Sequence, residues 1–391
     1  MASDVSNISI IGTGHTRFGR LAENLEDLIT ASAREALAEA ELPAEAIDAV
    51  FVGHFNAGLV RDGFAASLVH QTDPGLRFKP ATRLENACAS GSAAIHAAIQ
   101  SILSGRAQNV LVVGAEKMTA RSTPEVTEAL ACAGYQNNPA EAALSFPGVF
   151  AQAAQAYAGR YRDPLGAMAQ IASKNHQNAM LNPLAQMRRP LTVEDCATVT
   201  DKNPLIAPPL RLTDCSLVSD GAAALVLTTT QNAGKREKAA RFLSAVQIND
   251  FLPMSRRDLL LFEGPRMAIH KAYEEAGIKL DDLSFAKVHD CFTVAELLIY
   301  EAMGLAPAGE GETALSSGRV MRGGQIPVNL SGGLKAKGHP VGATGVSMHV
   351  LAYRQLTGQA GEMQLDRADL GLVFNMGGAA VANYASVLAP M

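Results

Sequence analysis

The chain has few cysteines, and none of them form a recognisable pair. Its five cysteines are an odd number, and no two have C-x-x-C spacing; they are Cys88, Cys132, Cys196, Cys215 and Cys291. A disulfide framework normally needs an even number of cysteines, and a structural zinc site normally needs such close pairs. The sequence therefore predicts no disulfide framework and no metal site, and it favours a reducing compartment.

Long apolar runs and excess positive charge are also missing. No apolar segment reaches the roughly 18–20 residues of a membrane-spanning helix. The N-terminus, MASDVSNISIIGTG, lacks the basic and then apolar segments of a secretory signal, and the C-terminal VLAPM contains no peroxisomal tripeptide. The net charge of -5 disfavours a protein that holds nucleic acid by bulk charge. We therefore expect a cytoplasmic protein that binds neither membrane nor nucleic acid.

Apolar residues make up 48% of the 391 residues, which is enough for a large core. Short apolar runs predict buried strands, and between the first two of them apolar residues recur three and four positions apart, as on one face of a helix. Alternating strands and helices indicate an α/β fold around buried sheets. The predicted strands span residues 8–12, 50–53, 110–114, 222–228, 285–288, 370–375 and 381–388.

The sequence contains an internal repeat. Residues 37–53 align without gaps on residues 273–289, and in each segment a helix ends, a short acidic connector follows and a strand begins. Each half then has a turn rich in glycine and alanine, NACASGSAAIHAAIQSILSG in the first and GHPVGATGVSMHVLAYRQLTG in the second. Helix–strand units of any α/β protein look alike, but here their order also matches. We therefore expect two duplicated α/β halves packed together.

Residues 119–203 break this pattern, because they are rich in Ala, Gln, Asn and Pro and show no clear strand. They predict a helical and loop insertion in the first half. The expected division is 1–118 with 204–240 for the N-terminal half, 119–203 for the insertion and 241–391 for the C-terminal half. Within the insertion, Arg188 and Arg189 form either a phosphate contact or a solvated surface pair.

Cys88 follows the extended stretch RLENA and precedes a helix that is predicted to end at Gly105. A cysteine at a helix N-terminus lies near free backbone N–H groups, and the helix dipole is expected to lower its pKa and make it nucleophilic. Small neighbours would let a bulky substrate approach. The alternative is an inert packed cysteine, since free cysteines are often buried.

His339 lies between Gly338 and Pro340, on a constrained turn before a helix. An imidazole there could activate a thiol or donate to an oxyanion, but it could also be a turn histidine with a backbone partner.

Two further loops follow predicted strands. The HDCF run at 289–292 lies at the carboxyl end of a strand, where α/β proteins bind ligands; its simpler role would be a loop in which Asp290 or Thr293 caps the next helix. The NMGGA run at 375–379 could expose backbone N–H groups to an oxyanion, or be a β-bulge.

Together, these loops resemble those of the thiolase superfamily, and specifically its sterol-carrier-protein-type branch. The CAS run that begins at Cys88 is similar to the family's C-x-S loop, HDCF to the loop where other thiolases have NEAF, and GHP to the loop that carries His339. NLSGGLKAKGHPVGATG and SDGAAALVL also look like family segments. The resemblance covers almost the whole chain. It implies the thiolase fold, with two duplicated α/β halves packed as a five-layer α-β-α-β-α sandwich.

One loop departs from the family pattern. Most thiolases have a second catalytic cysteine in a C-x-G loop near the C-terminus, and here that loop begins with Asn375. In the HDCF branch, Cys291 is thought to take over the lost role. The chain carries both changes together, as that branch predicts.

The resemblance implies an acetyl-CoA acyltransferase that cleaves 3-ketoacyl-CoA with coenzyme A, or condenses acetyl-CoA in reverse, within lipid metabolism such as fatty-acid β-oxidation. Cys88 would become acylated after His339 takes its proton, and Cys291 would protonate the departing enolate. His289 and His339 would hold the thioester oxygen. The backbone N–H groups of Cys88 and Gly377 would hold the oxygen of the acyl-cysteine.

The ligands that the resemblance implies are acyl-CoA and coenzyme A, with coenzyme A acting as a substrate and no further cofactor. Substrate contacts are expected at Arg188, Arg189, Ser331 and Gly332. A homodimer or homotetramer is expected, and a zinc-ribbon/OB-fold partner protein is a further option. The cysteines other than Cys88 and Cys291 are expected to be structural.

Three other functions fit parts of the sequence: a thiolase-like aldol lyase, a ketoacyl synthase and a non-catalytic acyl-CoA-binding subunit of a complex. Retention of both Cys88 and Cys291 favours a thiolase over a lyase, because an aldolase needs no acyl-cysteine. The HDCF loop argues against a ketoacyl synthase.

Overall fold

The structure is a computed structural model that describes residues 5–234 and 236–391. Residues 1–4, with which the segment rejected as a secretory signal begins, lie outside the described residues. The strands are β1 (Ile8–His15), β2 (Ala49–Gly53), β3 (Ala81–Leu84), β4 (Val110–Glu116), β5 (Leu205–Ala207), β6 (Leu210–Arg211), β7 (Gly221–Thr229), β8 (Ala240–Asn249), β9 (Phe285–Lys287), β10 (Gly371–Gly377) and β11 (Ala382–Pro390).

Helices connect many of these strands. In chain order the helices are α1 (Leu25–Glu39), α2 (Ala65–Leu68), α3 (Ser90–Leu103), α4 (Thr123–Ala131), α5 (Pro139–Ala142), α6 (Phe146–Arg160), α7 (Leu165–Ala179), α8 (Val193–Ala197), α9 (Thr230–Ala233), α10 (Glu263–Ala276), α11 (Thr293–Met303), α12 (Glu312–Ser316), α13 (Gly333–Lys337) and α14 (Thr344–Leu356). The described helices α4 to α8 and α11 to α14 follow one another without a strand between them. No helix in the described ranges has both the length and the apolarity needed to cross a bilayer.

Nine strands are joined in the order β3-β2-β4-β7-β1-β8-β11-β10-β9. Counted outward from the centre, the strands of the first half are β1, β7, β4 and β2. Their counterparts in the second half are β8, β11, β10 and β9. The β2–β4 and β9–β10 pairs are parallel, and the other pairs within this matching set are antiparallel. The place of β3 in the second half is taken by a single parallel bridge between Ala286 and Val328. The two halves meet where β1 pairs with β8.

The repeat in the sequence is also a repeat in the structure. A 3-10 helix follows α1 at Ala44–Ala46 and another follows α10 at Leu280–Asp282, with the same spacing to β2 and β9. The predicted duplication of the two α/β halves is therefore confirmed.

Helices α3 and α14 lie side by side between the halves. Helix α3 packs on β2 and β4, whereas α14 packs on strands of both halves. In the first half, residues of β4 alternate between two cores: Val110 and Val112 join the core of α3, while Leu111 and Val113 join the core of α1 on the other face. Helix α10 packs on β8 and β11. This is the layering of the predicted thiolase sandwich.

All seven predicted strands are present, but β3, the short pair β5 and β6, and the ten-residue β8 were missed. Buried residues of β8 alternate with more exposed ones such as Arg241 and Gln247, so the strand shows no continuous apolar run. Residues 119–203 contain α4 to α8 and none of the described strands, in keeping with the expected insertion. The domain boundaries themselves remain a prediction.

The N-terminal ends of α3 and α14 approach too closely for side chains. A Cβ on Gly91 would lie 2.8 Å from the carbonyl oxygen of Gly342, and a Cβ on Gly345 would lie 2.4 Å from a backbone nitrogen of α3. Gly53 and Gly114, near the ends of β2 and β4, would place a Cβ 2.6 Å and 2.7 Å from this same backbone. We term these five residues the glycine junction. Only glycine permits such backbone contact.

Gly345→Ala is expected to lower the free energy of unfolding by about 1–3 kcal/mol, because the added methyl group must push two backbones apart. Urea denaturation measures this change. Gly159→Ala in α6 is the matched control, since a Cβ at Gly159 meets no atom within 4 Å. It should leave stability unchanged or raise it by up to about 1 kcal/mol. Equal effects of the two substitutions would contradict the close packing at Gly345.

Candidate active site

Cys88 lies on a tight turn between β3 and α3. Ala87 before it has a φ of 50°, a left-handed conformation that is uncommon outside glycine. The Ser90 hydroxyl donates to the carbonyl oxygen of Ala87 at 2.6 Å and accepts the N–H of Asn86 at 2.9 Å. These bonds hold the turn so that Cys88 lies just before Ala89, the N-cap of α3.

Burial dominates the chemistry of this thiol. Cys88 is 4% exposed, and burial raises the pKa of its thiol to about 12. A hydrogen bond from the backbone N–H of Gly378 opposes this shift without overcoming it. The expectation that the helix N-terminus gives Cys88 a lowered pKa is therefore wrong, because lost hydration outweighs the dipole. The thiol needs a base beside it.

Two histidines face Cys88. The sulfur of Cys88 and one ring nitrogen each of His289 and His339 all lie within 4.8 Å of one another. The two rings pack edge to face, with centroids 5.1 Å apart. Both Nε2 atoms are buried and have no hydrogen-bond partner among the described residues. Such atoms are available to a substrate.

The hydrogen bonds around His339 assign its proton. Its Nδ1 lies 2.7 Å from Oγ1 of Thr344, and this hydroxyl donates its own hydrogen to the carbonyl oxygen of Pro340 at 3.0 Å. Thr344 therefore accepts from Nδ1, which leaves a lone pair on Nε2. Burial holds the pKa of His339 well below its usual value, so the ring is neutral. A neutral ring with a free Nε2 lone pair can act as a base.

His289 has a different partner. Its Nδ1 lies 2.8 Å from Nδ2 of Asn375, and the amide oxygen of Asn375 accepts the Ser92 hydroxyl at 2.8 Å. Burial lowers the pKa of His289 to about 3, so this ring is neutral as well. Sequence reasoning had considered only the backbone of the Asn375 loop.

Cys291 shares a cavity with Cys88 and His339. Burial raises the pKa of Cys291, and a negative charge on Cys88 would raise it further, so this thiol keeps its proton and suits a proton donor. The cavity has a volume of about 200 Å³. We term it the nucleophile cavity; it is lined by Cys88, Met118, Thr123, Val126, Thr127, Leu130, Phe146, Pro147, Ile206, Leu212, Cys215, Ser216, Leu217, Val218, Cys291, Phe292, His339 and Val341.

Asp290 joins two of the site loops. Its buried carboxylate accepts the backbone N–H groups of Leu334 at 2.6 Å and Lys335 at 3.2 Å, in the segment before His339. Thr293 donates instead to Asp214 at 2.8 Å. The alternative in which Asp290 or Thr293 caps α11 is therefore wrong, since the N-cap of α11 has no side-chain bond.

Glu116 is a buried carboxylate that the sequence analysis missed. It accepts the backbone N–H groups of Phe55, Asn56 and Gly342, each at 3.0 Å. It therefore ties the end of β4 to the loop that follows His339. A signal was present, because an acidic residue ends an otherwise apolar strand next to the site.

The four predicted substrate contacts fall in different places. Arg188 is exposed, and its guanidinium donates to a backbone carbonyl at the end of α7 at 3.0 Å and 3.3 Å. Arg189 lines a second cavity. Ser331 and Gly332, just before α13, are buried and line neither of the two cavities. Of the four residues, only Arg189 therefore lines one of the two cavities.

The second cavity has a volume of about 460 Å³ and shares Leu212 and Leu217 with the nucleophile cavity. It is termed the basic cavity, and it is lined by His176, Met187, Arg189, Leu191, Glu194, Asp195, Thr198, Thr200, Lys202, Asn203, Leu212, Thr213, Leu217 and Lys335. Lys335 is 3% exposed, and burial lowers its pKa. In the described part of the chain, its ammonium group has no hydrogen bond or ion pair. An anionic ligand could supply one.

Cys88, His289 and His339 are also a donor set of the kind that binds a tetrahedral metal ion. Metal binding would require a lone pair on the site-facing nitrogen of both histidines. Because Asn375 donates to Nδ1 of His289, the hydrogen of this ring is on Nε2, the nitrogen that faces the site. Nε2 therefore has no lone pair to offer a metal ion. The arrangement fits a nucleophile, a base and a hydrogen-bond donor better than a metal centre.

Comparisons with known proteins agree with this arrangement. The profile described as "Thiolase, N-terminal domain" matches residues 8–231, and "Thiolase C-terminal domain-like" matches residues 247–390. Since these matches span most of the chain, the protein belongs to the thiolase family.

Individual relatives support the same conclusion. Acetyl-CoA acetyltransferase of Methanothermobacter thermautotrophicus is 35% identical over 376 residues, which cover 95% of this chain and 96% of that protein. Sterol carrier protein 2 of Homo sapiens is 31% identical over 394 residues, which cover 95% of this chain and 70% of that protein. The resemblance to the thiolase superfamily and its sterol-carrier-protein-type branch is confirmed.

Solved structures share the fold. The Ltp2-ChsH2(DUF35) aldolase has a TM-score of 0.81 at 21% identity and covers 98% of each chain. Human mitochondrial 3-ketoacyl-CoA thiolase in complex with CoA has a TM-score of 0.74 at 18% identity, covering 99% of this chain and 98% of the other. At these identities, the likeness establishes the fold.

Thr344→Val should slow the reaction of Cys88 with iodoacetamide by about 10- to 100-fold, a part of what a positioned base contributes. The substitution keeps the shape but removes the oxygen that holds Nδ1–H of His339. Mass spectrometry of the Cys88 peptide against time measures the rate. Thr344→Ser keeps the oxygen and should stay within a few-fold of the unaltered protein. Equal rates in the two variants would argue against a role for this bond.

Proposed function

We propose that the protein is a thiolase-type acyltransferase that cleaves 3-ketoacyl-CoA with coenzyme A, or condenses acetyl-CoA in reverse, through an acyl-cysteine. The observation that carries this proposal is that the buried side chains of Cys88, Cys291 and His339 line one cavity. Such a reaction needs one thiol that loses its proton to a base and one that can give its proton away. The relative named acetyl-CoA acetyltransferase adds support.

In the first step, Nε2 of His339 takes the thiol proton and the sulfur of Cys88 bonds to the 3-keto carbon. The keto oxygen becomes an oxyanion. Because the backbone N–H groups of Gly378 and Cys88 both lie against the thiol, we propose that they hold this oxygen. Gly377, the residue expected from the sequence, packs its Cα against the Cys88 turn, where a Cβ would lie 2.2 Å from a backbone oxygen.

In the second step, the bond between C2 and C3 breaks, which leaves an acyl-Cys88 and the enolate of acetyl-CoA. Nε2–H of His289 and, once protonated, Nε2–H of His339 would hold the enolate oxygen. Cys291 gives its proton to C2. The thiol of incoming coenzyme A restores the proton of Cys291, and its sulfur takes the acyl group from Cys88. His339 then returns its proton to Cys88, so the protons balance.

An aldol lyase of the same fold is the nearest alternative. The structural likeness to an aldolase concerns the fold alone, at 21% identity. A lyase has no use for an acyl-cysteine, whereas here Cys88 lies beside a neutral base and faces a second buried thiol. A subunit that only binds acyl-CoA would need neither feature. Both features therefore favour the thiolase reaction.

Replacing the two cysteines separates their roles. Cys88→Ala should abolish both acetoacetyl-CoA thiolysis and acylation. Cys291→Ala should still add an acyl group, detected by intact mass, but should lose exchange of the α-protons of acetyl-CoA by at least about 100-fold. Cys132→Ala, at an exposed cysteine, is the control and should retain activity. Rapid exchange in Cys291→Ala would refute its assignment, and an unaltered protein that neither turns over nor becomes acylated would refute the function.

For coenzyme A, we propose that the chain of the molecule runs from the nucleophile cavity into the basic cavity. The two cavities share a wall, and the second presents three cations: Arg189, Lys202 and Lys335. Its two acids are less of an obstacle, since Glu194 is exposed and Asp195 is engaged in the capping box of α8. A phosphate could therefore offset the unpaired charge of Lys335.

Lys335→Met should raise the KM for coenzyme A by about 10- to 100-fold, the usual effect of losing a charge-assisted hydrogen bond. The KM for pantetheine, which has no phosphate, should not change. Stability should not fall, because the substitution removes a buried unpaired charge. Arg160→Met, at an exposed arginine paired with Asp258, is the control. Equal changes for both thiols would place Lys335 elsewhere in the mechanism.

We also propose a homo-oligomer, either a dimer or a tetramer. Strand β3 is an edge of the sheet with partly exposed residues, and Phe78 shortly before it is 86% exposed. An unpaired edge strand can pair with a second copy. A cytoplasmic location and a zinc-ribbon/OB-fold partner are further proposals. The structural relative Ltp2-ChsH2(DUF35) aldolase is named with a second component.

A further inference from the structure

We propose that Asn375 is a positioning residue that fixes the tautomer of His289, so that Nε2–H of His289 always faces the substrate oxygen. This role rests on the proposed thiolase reaction. It differs from the role of the second cysteine that other thiolases carry in this loop, because Asn375 would act through His289 and exchange no proton.

The orientation of the Asn375 amide follows from its neighbours. One end of the amide lies 3.4 Å from the carbonyl oxygen of Cys88, which can only accept a hydrogen bond. That end must therefore be the nitrogen, and the same nitrogen lies 2.8 Å from Nδ1 of His289. The other end, the oxygen, accepts the hydroxyl of Ser92 at 2.8 Å. Asn375 and Ser92 are both fully buried, so water does not compete for these bonds.

The tautomer of His289 follows in turn. Because Asn375 donates to Nδ1, that nitrogen carries a lone pair and Nε2 carries the hydrogen. The Nε2 atom is buried and has no partner among the described residues. Since Asn375 engages Nδ1, Nε2 is the nitrogen left for the group formed with Cys88 and His339. His339 has the reverse tautomer, set by Thr344. The two histidines thus differ in function because their neighbours differ.

The charges around His289 keep its ring neutral. The titratable groups that face it are His339, Cys88 and, through its charge, Lys337. The carboxylate of Asp290, the next residue, is turned away toward the backbone of α13. Burial and the charge of Lys337 both lower the pKa of His289. An amide at position 375 preserves this neutrality, whereas a carboxylate would not.

Asn375→Asp is the informative substitution, because it keeps the shape and reverses the hydrogen bond. The carboxylate accepts rather than donates, and it raises the pKa of His289. Below the raised pKa, the imidazolium still offers Nε2–H. Above it, the remaining hydrogen lies on Nδ1, facing the carboxylate, and the donor to the substrate is lost. The fraction of the variant that offers Nε2–H to the substrate therefore falls as pH rises.

The measurement is kcat/KM for acetoacetyl-CoA thiolysis from about pH 6 to about pH 9, as the ratio of variant to unaltered protein. The ratio is expected to fall with rising pH, reaching a loss of about 10²–10³-fold, typical of one removed oxyanion donor. Alkylation of Cys88 by iodoacetamide should change less than about threefold, because Cys88 and His339 remain in place. A ratio that does not vary with pH would overturn the proposal.

Two controls separate positioning from general damage. Asn178→Asp changes a buried amide that donates to the backbone of Asn329 and to no histidine ring, and it should give a ratio independent of pH. In a His289→Ala background, Asn375→Asp should add no further dependence on pH, since its effect passes through His289. If the variant does not fold, Ser92→Ala provides the second test and should lower kcat/KM without slowing alkylation. If it slows both equally, the proposal fails.

The same assay distinguishes this inference from the proposed function. If the unaltered protein cleaves acetoacetyl-CoA but the variant ratio is independent of pH, the thiolase reaction is supported and the role of Asn375 is refuted. If the unaltered protein neither cleaves 3-ketoacyl-CoA nor becomes acylated at Cys88, both the proposed function and the role of Asn375 are refuted.

Discussion

The site depends on one steric constraint, the close contact of the two central helices at the glycine junction. Cys88 lies just before α3 and His339 lies one short turn before α14, so the distance between the two helix ends sets the distance between sulfur and imidazole. Backbone atoms meet where Gly91, Gly342 and Gly345 carry no side chains. Any Cβ there would separate the two reacting groups, and catalysis is sensitive to displacements of about 1 Å.

Because the groups at this contact are buried, their neutral forms are favoured. Burial raises the pKa values of both thiols and lowers those of both histidines, so the resting site holds two protonated sulfurs and two neutral rings. Since neither the thiols nor the rings are charged at rest, the tautomers of the histidines decide which ring accepts the proton of Cys88. Thr344 makes His339 an acceptor, and the bond from Asn375 makes His289 a donor. Charge then develops only when a substrate brings the atoms that these groups are placed to stabilise.

The sequence could predict the residues of the site more readily than their environment. Cys88, His339 and the HDCF loop were found because they stand in short turns with a specific order, and the strands because buried runs are apolar. Glu116 was missed because its partner Gly342 is 226 residues away. The helix dipole at Cys88 is a local property that sequence reveals, whereas the desolvation that reverses its effect depends on segments from both halves. Strand β8 was missed because only alternate residues are buried.

Equivalent strand ends have different roles in the two duplicated halves. By the gap-free repeat, Gly53 at the end of β2 corresponds to His289 after β9; by the aligned strands β4 and β10, Gly114 corresponds to Asn375. Gly53 and Gly114 are paired neighbours in the sheet, and their counterparts are bonded to each other. In the first half, these positions carry no side chain, because the central helices press against them. In the second half, the same positions carry an imidazole and an amide beside Cys88. One copy of the unit thus packs the helices, and the other supplies the chemistry.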